Sequence, residues 1–169
     1  MTHLSDFTFG GNLMLHWTWK NFDQFSLEQL YDAIHLRQQV FVIEQQCLYL
    51  DADGFDPACL HGLGYDDAGA LQAYARILPP GVRYAEPSIG RVIVAEQLRG
   101  KGIGEVLMRQ ALLRAAALYP GAPVRISAQA RLERFYHRLG FVSVGELYDD
   151  VGIPHVDMLI TEYADNLSA

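Results

Sequence analysis

Six consecutive residues, Arg99-Gly100-Lys101-Gly102-Ile103-Gly104, carry the densest chemical signal in the chain. Glycines at alternate positions let a backbone approach a ligand closely and adopt dihedral angles closed to other residues. They follow an apolar run, Val92-Ile93-Val94, and open a long segment with helical periodicity. Free N–H groups and the positive end of a helix dipole favour phosphate at such a junction. Arg99 and Lys101 add positive charge there. The dinucleotide fingerprint Gly-x-Gly-x-x-Gly fails, because it meets Glu105 when begun at Gly100 and fails again from Gly102. The P-loop pattern fails as well, since Gly102 follows Lys101 where Ser or Thr is needed. A tight strand-to-helix connection that binds nothing is the plain alternative.

A second signal follows after an intervening strand candidate, in Phe135-Tyr136-His137-Arg138-Leu139-Gly140-Phe141. Alone, an aromatic pair on a short helix reads as core. Together the two motifs resemble the GNAT acyltransferases. Arg-x-x-Gly-x-Gly after an apolar strand is similar to their coenzyme A pyrophosphate loop, and Phe-Tyr-x-x-x-Gly-Phe to the motif after their fifth strand. Arg37-x-x-Val40-Phe41-Val42-x-Glu44-Gln45, then Asp51, Asp53 and His61, resemble the ElaA-type branch of that family. So do Gly90-Arg91-Val92, Ala128-Gln129-Ala130 and Gly152-Ile153-Pro154-His155.

The resemblance implies an N-acetyltransferase that uses acetyl-CoA as co-substrate, with direct attack by a primary amine in a ternary complex and no metal. It places the pyrophosphate on the N–H groups of Gly100, Lys101, Gly102, Ile103 and Gly104, beside Arg99. The pantetheine arm would lie along the backbone of Val92, Ile93 and Val94, near Phe135. Arg131, Arg134 and Arg138 are candidates for the adenosine phosphate, or simply a solvated helix face. Tyr136 stands where the family often carries a general acid for the departing thiolate, and packing against the cofactor is its other reading.

A base for the ammonium is drawn from Glu44, His61, Asp149 and His155, with a structural role open for each. The segment from Glu44 to Asp56 carries Glu44, Asp51, Asp53 and Asp56 and no Lys or Arg. A cleft wall of one sign concentrates ligands of the other. Glu44, Asp51 and His61 are therefore candidate contacts for a cationic amine, against a merely solvated loop. Two other readings stand: a non-catalytic acyl-CoA-binding or regulatory module, and a transferase for longer acyl groups. The acceptor is a small-molecule or peptide amine.

The elements that must position these residues follow from periodicity. Leu13 to Trp19 alternates as a half-buried strand. Ser26 and Gln29 form a capping-box pattern ahead of an amphipathic helix, Leu27 to Phe41. Asp66 to Gly69 has turn chemistry between strands Leu60–Tyr65 and Leu71–Leu78. Strand Ser88 to Ala95, helix Gly102 to Tyr119 and strand Val124 to Gln129 make a right-handed parallel crossover. The helix has a core stripe of Met108, Ala111, Leu112, Ala115, Leu118 and Tyr119. A short helix Arg131 to Leu139 precedes closing strands Phe141–Tyr148 and His155–Tyr163. The fold class is α/β, or mixed α+β: a mostly antiparallel sheet of about seven strands, with helices on both faces. Residues 1–12 read as a leader, 13–163 as one domain and 164–169 as a tail.

The 169 residues, half of them hydrophobic, suffice for one core without staples. A formal charge of −7 argues against a nucleic-acid partner. The six His residues lack zinc spacing, and Asp51-Ala52-Asp53-Gly54 departs from a calcium loop at Phe55. Cys47 and Cys59 make no disulfide scaffold, and no apolar run spans a membrane. A cytoplasmic protein, with a homodimer open, is the expectation.

Overall fold

The computed structural model describes residues 7–9 and 13–163. Expectations for 1–6, 10–12 and 164–169 lie outside the described residues. Phe7–Phe9, read as leader, instead forms a short strand, β1, paired antiparallel with β2 (Leu13–Asn21). Helix α1 (Leu27–Arg37) follows, then β3 (Leu60–Tyr65), β4 (Leu71–Leu78), β5 (Ser88–Val94) and α2 (Ile103–Leu118). The chain closes with β6 (Val124–Gln129), α3 (Glu133–Arg138), β7 (Val142–Asp150) and β8 (Ile153–Ile160). The sheet order is β1-β2-β3-β4-β5-β6-β8-β7, eight strands among the described residues where about seven were expected.

Local chemistry places the main elements. The capping box forms: the Gln29 N–H donates to Ser26 Oγ at 3.2 Å, and the Ser26 N–H to Gln29 Oε1 at 3.2 Å. The Asp66 carboxylate accepts from the N–H groups of Ala68 and Ala70, closing the β3–β4 turn. Trp17 and Trp19 lie across Gly64 and Gly62. A Cβ at Gly62 would come within 2.7 Å of the Trp19 ring, so only glycine admits this packing.

Strand β4 shows why both faces are covered. Tyr74 packs with Ala33, Leu36 and Val40 of the α1 side. Ala73 and Ala75 pack with Ile103 and Leu107 of α2, and Ile77 with Met108 and Leu112. The α2 stripe from Met108 to Ala115 is buried as its spacing requires, whereas Leu118 at the helix end is half exposed and Tyr119, just past it, is only partly buried. Beyond α1 the helix does not stop near Phe41. It widens into a π-helical stretch, Gln38–Glu44, with the Gln45 N–H bonded to Val40 O at 3.0 Å.

Among the described residues all strand pairs are antiparallel except β5–β6. That parallel pair registers only at Ser88↔Arg125. Past this point the two strands part. Strand β5 also carries a bulge opposite Ala75, with Arg91 in the left-handed region at φ 53°. Bulges recur next to sites because they bend a strand and re-aim its groups.

Candidate active site

The parting of β5 and β6 opens a cleft of about 920 Å³. From the glycine turn and α3 it is lined by Arg99, Gly100, Gly102, Gly104, Phe135 and Tyr136. The stretch after α1 contributes Phe41, Glu44, Gln45 and Tyr49, and the β7–β8 turn contributes Asp150, Ile153 and His155. Val92, Ile93 and Val94 line it from β5.

The glycine turn has the geometry its composition demands. Gly100 has φ 76° and Gly102, the N-cap of α2, has φ 83°. The first bonds of the helix run from the Glu105 and Val106 N–H groups to Gly102 O. The Ile103 and Gly104 N–H groups therefore precede the helical ladder and stay free for a ligand. The Ile103 side chain turns inward and is 1% exposed. At Gly104 a Cβ would sit 3.6 Å from Phe135 Cζ and 3.8 Å from Val94 Cγ2. Loop, α3 and β5 thus converge at this one position. The cradle fits a phosphorylated ligand: free N–H groups, left-handed glycines and the Arg99 cation share one spot.

Tyr136 is buried between Phe135 and Phe141, both packed edge-on to its ring, with centroids at 5.0 and 5.9 Å. Its hydroxyl makes no hydrogen bond among the described residues. Burial alone pushes its phenol up to about 12. His155 also lines the cleft. Its Nδ1 lies 2.8 Å from Ile153 O, and a carbonyl can only accept, so Nδ1 carries the proton. In the neutral ring Nε2 then holds the free lone pair, without a protein partner among the described residues.

The acidic segment behaves differently from the expectation. Asp51, Asp53 and Asp56 turn inward onto three arginines from three elements. Arg37 of α1 donates to Asp51 at 2.6 Å and to Asp56 at 2.9 Å. Arg76 of β4 donates to Asp56 at 2.6 Å and grips Asp53 with both terminal nitrogens. Arg91 of the β5 bulge donates to Asp51 at 2.7 Å and lies over the Phe41 and Tyr49 rings. Burial would raise the Asp53 carboxyl, but the Arg76 guanidinium more than offsets it and holds it at about 2.

A family model for the acetyltransferase (GNAT) domain matches residues 61–162. This chain belongs to the GNAT acetyltransferase family. Within the family it falls beside ElaA. Protein ElaA of Escherichia coli is 42% identical over 147 residues, covering 86% of this chain and 95% of that protein. A UPF0039 protein of Synechocystis is 43% identical over 145 residues, covering 86% of this chain and 94% of that one. Among solved structures, E. coli ElaA superposes with a TM-score of 0.82, 41% identity and coverage of 87% and 99%. An acyl-CoA N-acyltransferase from Pseudomonas aeruginosa has the same TM-score and identity, with coverage of 86% and 99%.

Within this GNAT frame Gly100, Gly102 and Gly104, Val92 to Val94, Phe135, Tyr136, Glu44 and His155 line one cleft. Three expected residues need correction. Asp51 and His61 do not line the cleft. Asp51 is 7% exposed and held by Arg37 and Arg91. His61 is 1% exposed, receives the Tyr74 hydroxyl proton at Nδ1 (2.7 Å) and donates from Nε2 to Asp56 O (2.9 Å). Asp149 does not line the cleft either: it is exposed, and its carboxylate accepts the Gly152 N–H and closes the β7–β8 turn. Lys101 is exposed beside the cleft, and Arg131 and Arg138 line it while Arg134 does not. Sequence reasoning missed Phe41, Gln45, Gln129, Tyr49 and Asp150 as lining residues. The first three sit in the branch-specific motifs, which was the available signal; Gln129 Nε2 donates to Gln45 Oε1 at 3.1 Å, joining two walls.

Proposed function

We propose that this protein transfers the acetyl group of acetyl-CoA to a primary amine, by direct attack in a ternary complex. The observation that carries the reading is the β5–β6 opening itself. It joins a free helix N-terminus, a strand edge that has parted from its sheet neighbour and a tyrosine hydroxyl without a partner among the described residues in one cleft. Bound acetyl-CoA would supply the thioester and take away the departing sulfur. The Gly100–Gly104 N–H groups and Arg99 hold the diphosphate, and Val92 and Val94 align the pantetheine arm as an added strand. Holding both reactants in register is the largest contribution expected. Tyr136 donates a hydrogen bond to the sulfur. His155, its proton fixed on Nδ1, presents Nε2 as acceptor for the proton the ammonium loses before its nitrogen attacks the thioester carbonyl. Glu44 faces the acceptor, a small-molecule or peptide amine.

The test combines binding and turnover. At CoA a hundred-fold above Kd, linkage stabilises the fold by about 2.7 kcal/mol. At 2–4 °C per kcal/mol for a chain of this size, Tm should rise by about 5–10 °C. A panel of amines with acetyl-CoA and thiol detection then identifies the acceptor. No shift at millimolar CoA overturns the reading of the cleft. A shift without thiol release from any amine favours the non-catalytic acyl-CoA-binding module.

A further inference from the structure

Arg99 is held at both ends of its guanidinium. Nη2 donates to Glu44 Oε2 at 2.6 Å, and Nε donates to Val94 O at 2.9 Å. Each contact lies where a ligand is expected. Arg99 is the cation beside the glycine cradle, and Val94 O belongs to the strand along which the pantetheine arm is placed. Glu44 reaches this pair from the opposite wall, 55 residues away in sequence. It differs from the other acids of its segment. Asp51, Asp53 and Asp56 are committed to Arg37, Arg76 and Arg91, whereas among the described residues Glu44 pairs with Arg99 alone. The Glu44 and Arg99 side chains are 32% and 45% exposed, so their pairing is solvated and easily exchanged.

We infer that the Glu44–Arg99 pair is a charge gate that makes Glu44 available to a cationic acceptor only after the cofactor's diphosphate has engaged Arg99. The inference rests on the acetyl-CoA reading of the cleft. Without cofactor the two charges cancel. A diphosphate at the cradle competes for the guanidinium with two phosphate charges against one carboxylate, and its pantetheine arm competes for Val94 O. Glu44 then stands unpaired on the acceptor side, next to a newly bound anion. That place attracts an ammonium and repels an anionic acceptor. Binding free energies are reciprocal, so the cofactor raises affinity for the amine and the amine raises affinity for the cofactor. The acceptor class assigned is a primary amine that is cationic at neutral pH, entering second.

Titration calorimetry on the full chain at low ionic strength reads the gate directly. Glu44→Gln removes the competitor for Arg99, so CoA should bind about two- to five-fold more tightly, the range spanned by exposed ion pairs. Dephospho-CoA, which keeps the diphosphate and lacks the 3′-phosphate, should gain equally. Arg99→Gln should weaken both. In turnover with an accepted amine, Glu44→Gln should raise the amine KM, so one substitution moves the two substrates in opposite directions. An unchanged Tm without ligand shows that the variant is folded. CoA affinity that is unchanged or weaker in Glu44→Gln overturns the gate, as does a gain lost with dephospho-CoA or a shift of both substrates in one direction. Wild-type protein that binds no CoA overturns the cleft reading and the gate with it. Normal wild-type binding with an inert Glu44→Gln overturns the gate alone.

Discussion

Replacing Tyr136 by Phe should separate catalysis from stability. The hydroxyl has no protein partner among the described residues, so its removal breaks no internal hydrogen bond. The ring stays clamped edge-on between Phe135 and Phe141. Tm should therefore hold or rise slightly. The effect on rate follows from the phenol, pushed by burial up to about 12. A thiol has an ordinary pKa of ~8.5, so moving the Tyr136 proton fully onto the leaving thiolate is uphill by ~3.5 units, or ~4.8 kcal/mol. The residue acts instead by donating a hydrogen bond to sulfur as negative charge grows there. Hydrogen bonds to charged groups contribute ~1.5–3 kcal/mol, which predicts a kcat fall of about 10- to 150-fold in Tyr136→Phe. CoA affinity should change little, because the bond matters most when the sulfur is charged. The phenol stays protonated far above neutral pH, so Tyr136 contributes no alkaline limb to the wild-type rate below about pH 10. The assay is thiol release at saturating substrates across pH 6–10, with calorimetric CoA binding and thermal melting alongside. Unchanged kcat, with the chemical step shown to be rate-limiting, would leave Tyr136 as packing. A Tm loss of several degrees would show that the hydroxyl has a structural partner.

The glycine turn predicts a divided outcome. Gly102→Ala places a side chain at φ 83°, at a cost of ~1–2 kcal/mol, and should lower Tm by about 2–8 °C. Gly104→Ala meets only ordinary contacts at 3.6 and 3.8 Å, so its Tm should hold while the CoA-induced shift shrinks; equal Tm losses would refute this. Acid should weaken the fold in two stages. Burial lowers the His61 pKa, so unfolded chains take up a proton first as pH falls below ~6.5, and stability declines. Asp53, held at about 2, adds ~2 kcal/mol above its ordinary ~3.9 that disappears between about pH 4 and pH 2. Urea unfolding at pH 7, 5 and 3 should show the second decline reduced in Asp53→Asn, and an identical pH dependence in that variant would contradict the assignment.

The parts of this protein that were legible in its sequence are those whose partners are near in the chain or are backbone. The capping box spans Ser26 to Gln29, the turn chemistry of Asp66 spans four residues, and the glycine cradle is one loop. The crossover was legible because periodicity and handedness leave one arrangement. Side chains whose partners lie on other elements were not. The segment from Glu44 to Asp56 reads as a solvated acidic wall when only its own residues are counted. Its counter-charges come from α1, β4 and β5, at separations of 14 (Arg37–Asp51), 20 (Arg76–Asp56) and 40 (Arg91–Asp51) residues. Arg76 sits in an apolar-patterned strand where a single arginine passes as an interruption, and Arg37 and Arg91 stand in the branch motifs with nothing in the local sequence to show that they face these acids. Once they are located, Asp51, Asp53 and Asp56 fasten the segment to the sheet, and its attraction for cations reduces to Glu44. The sign of a cleft wall therefore follows from which acids the fold has already neutralised. A carboxylate with one exchangeable partner inside the cleft is a better candidate for substrate contact than three with fixed partners behind it.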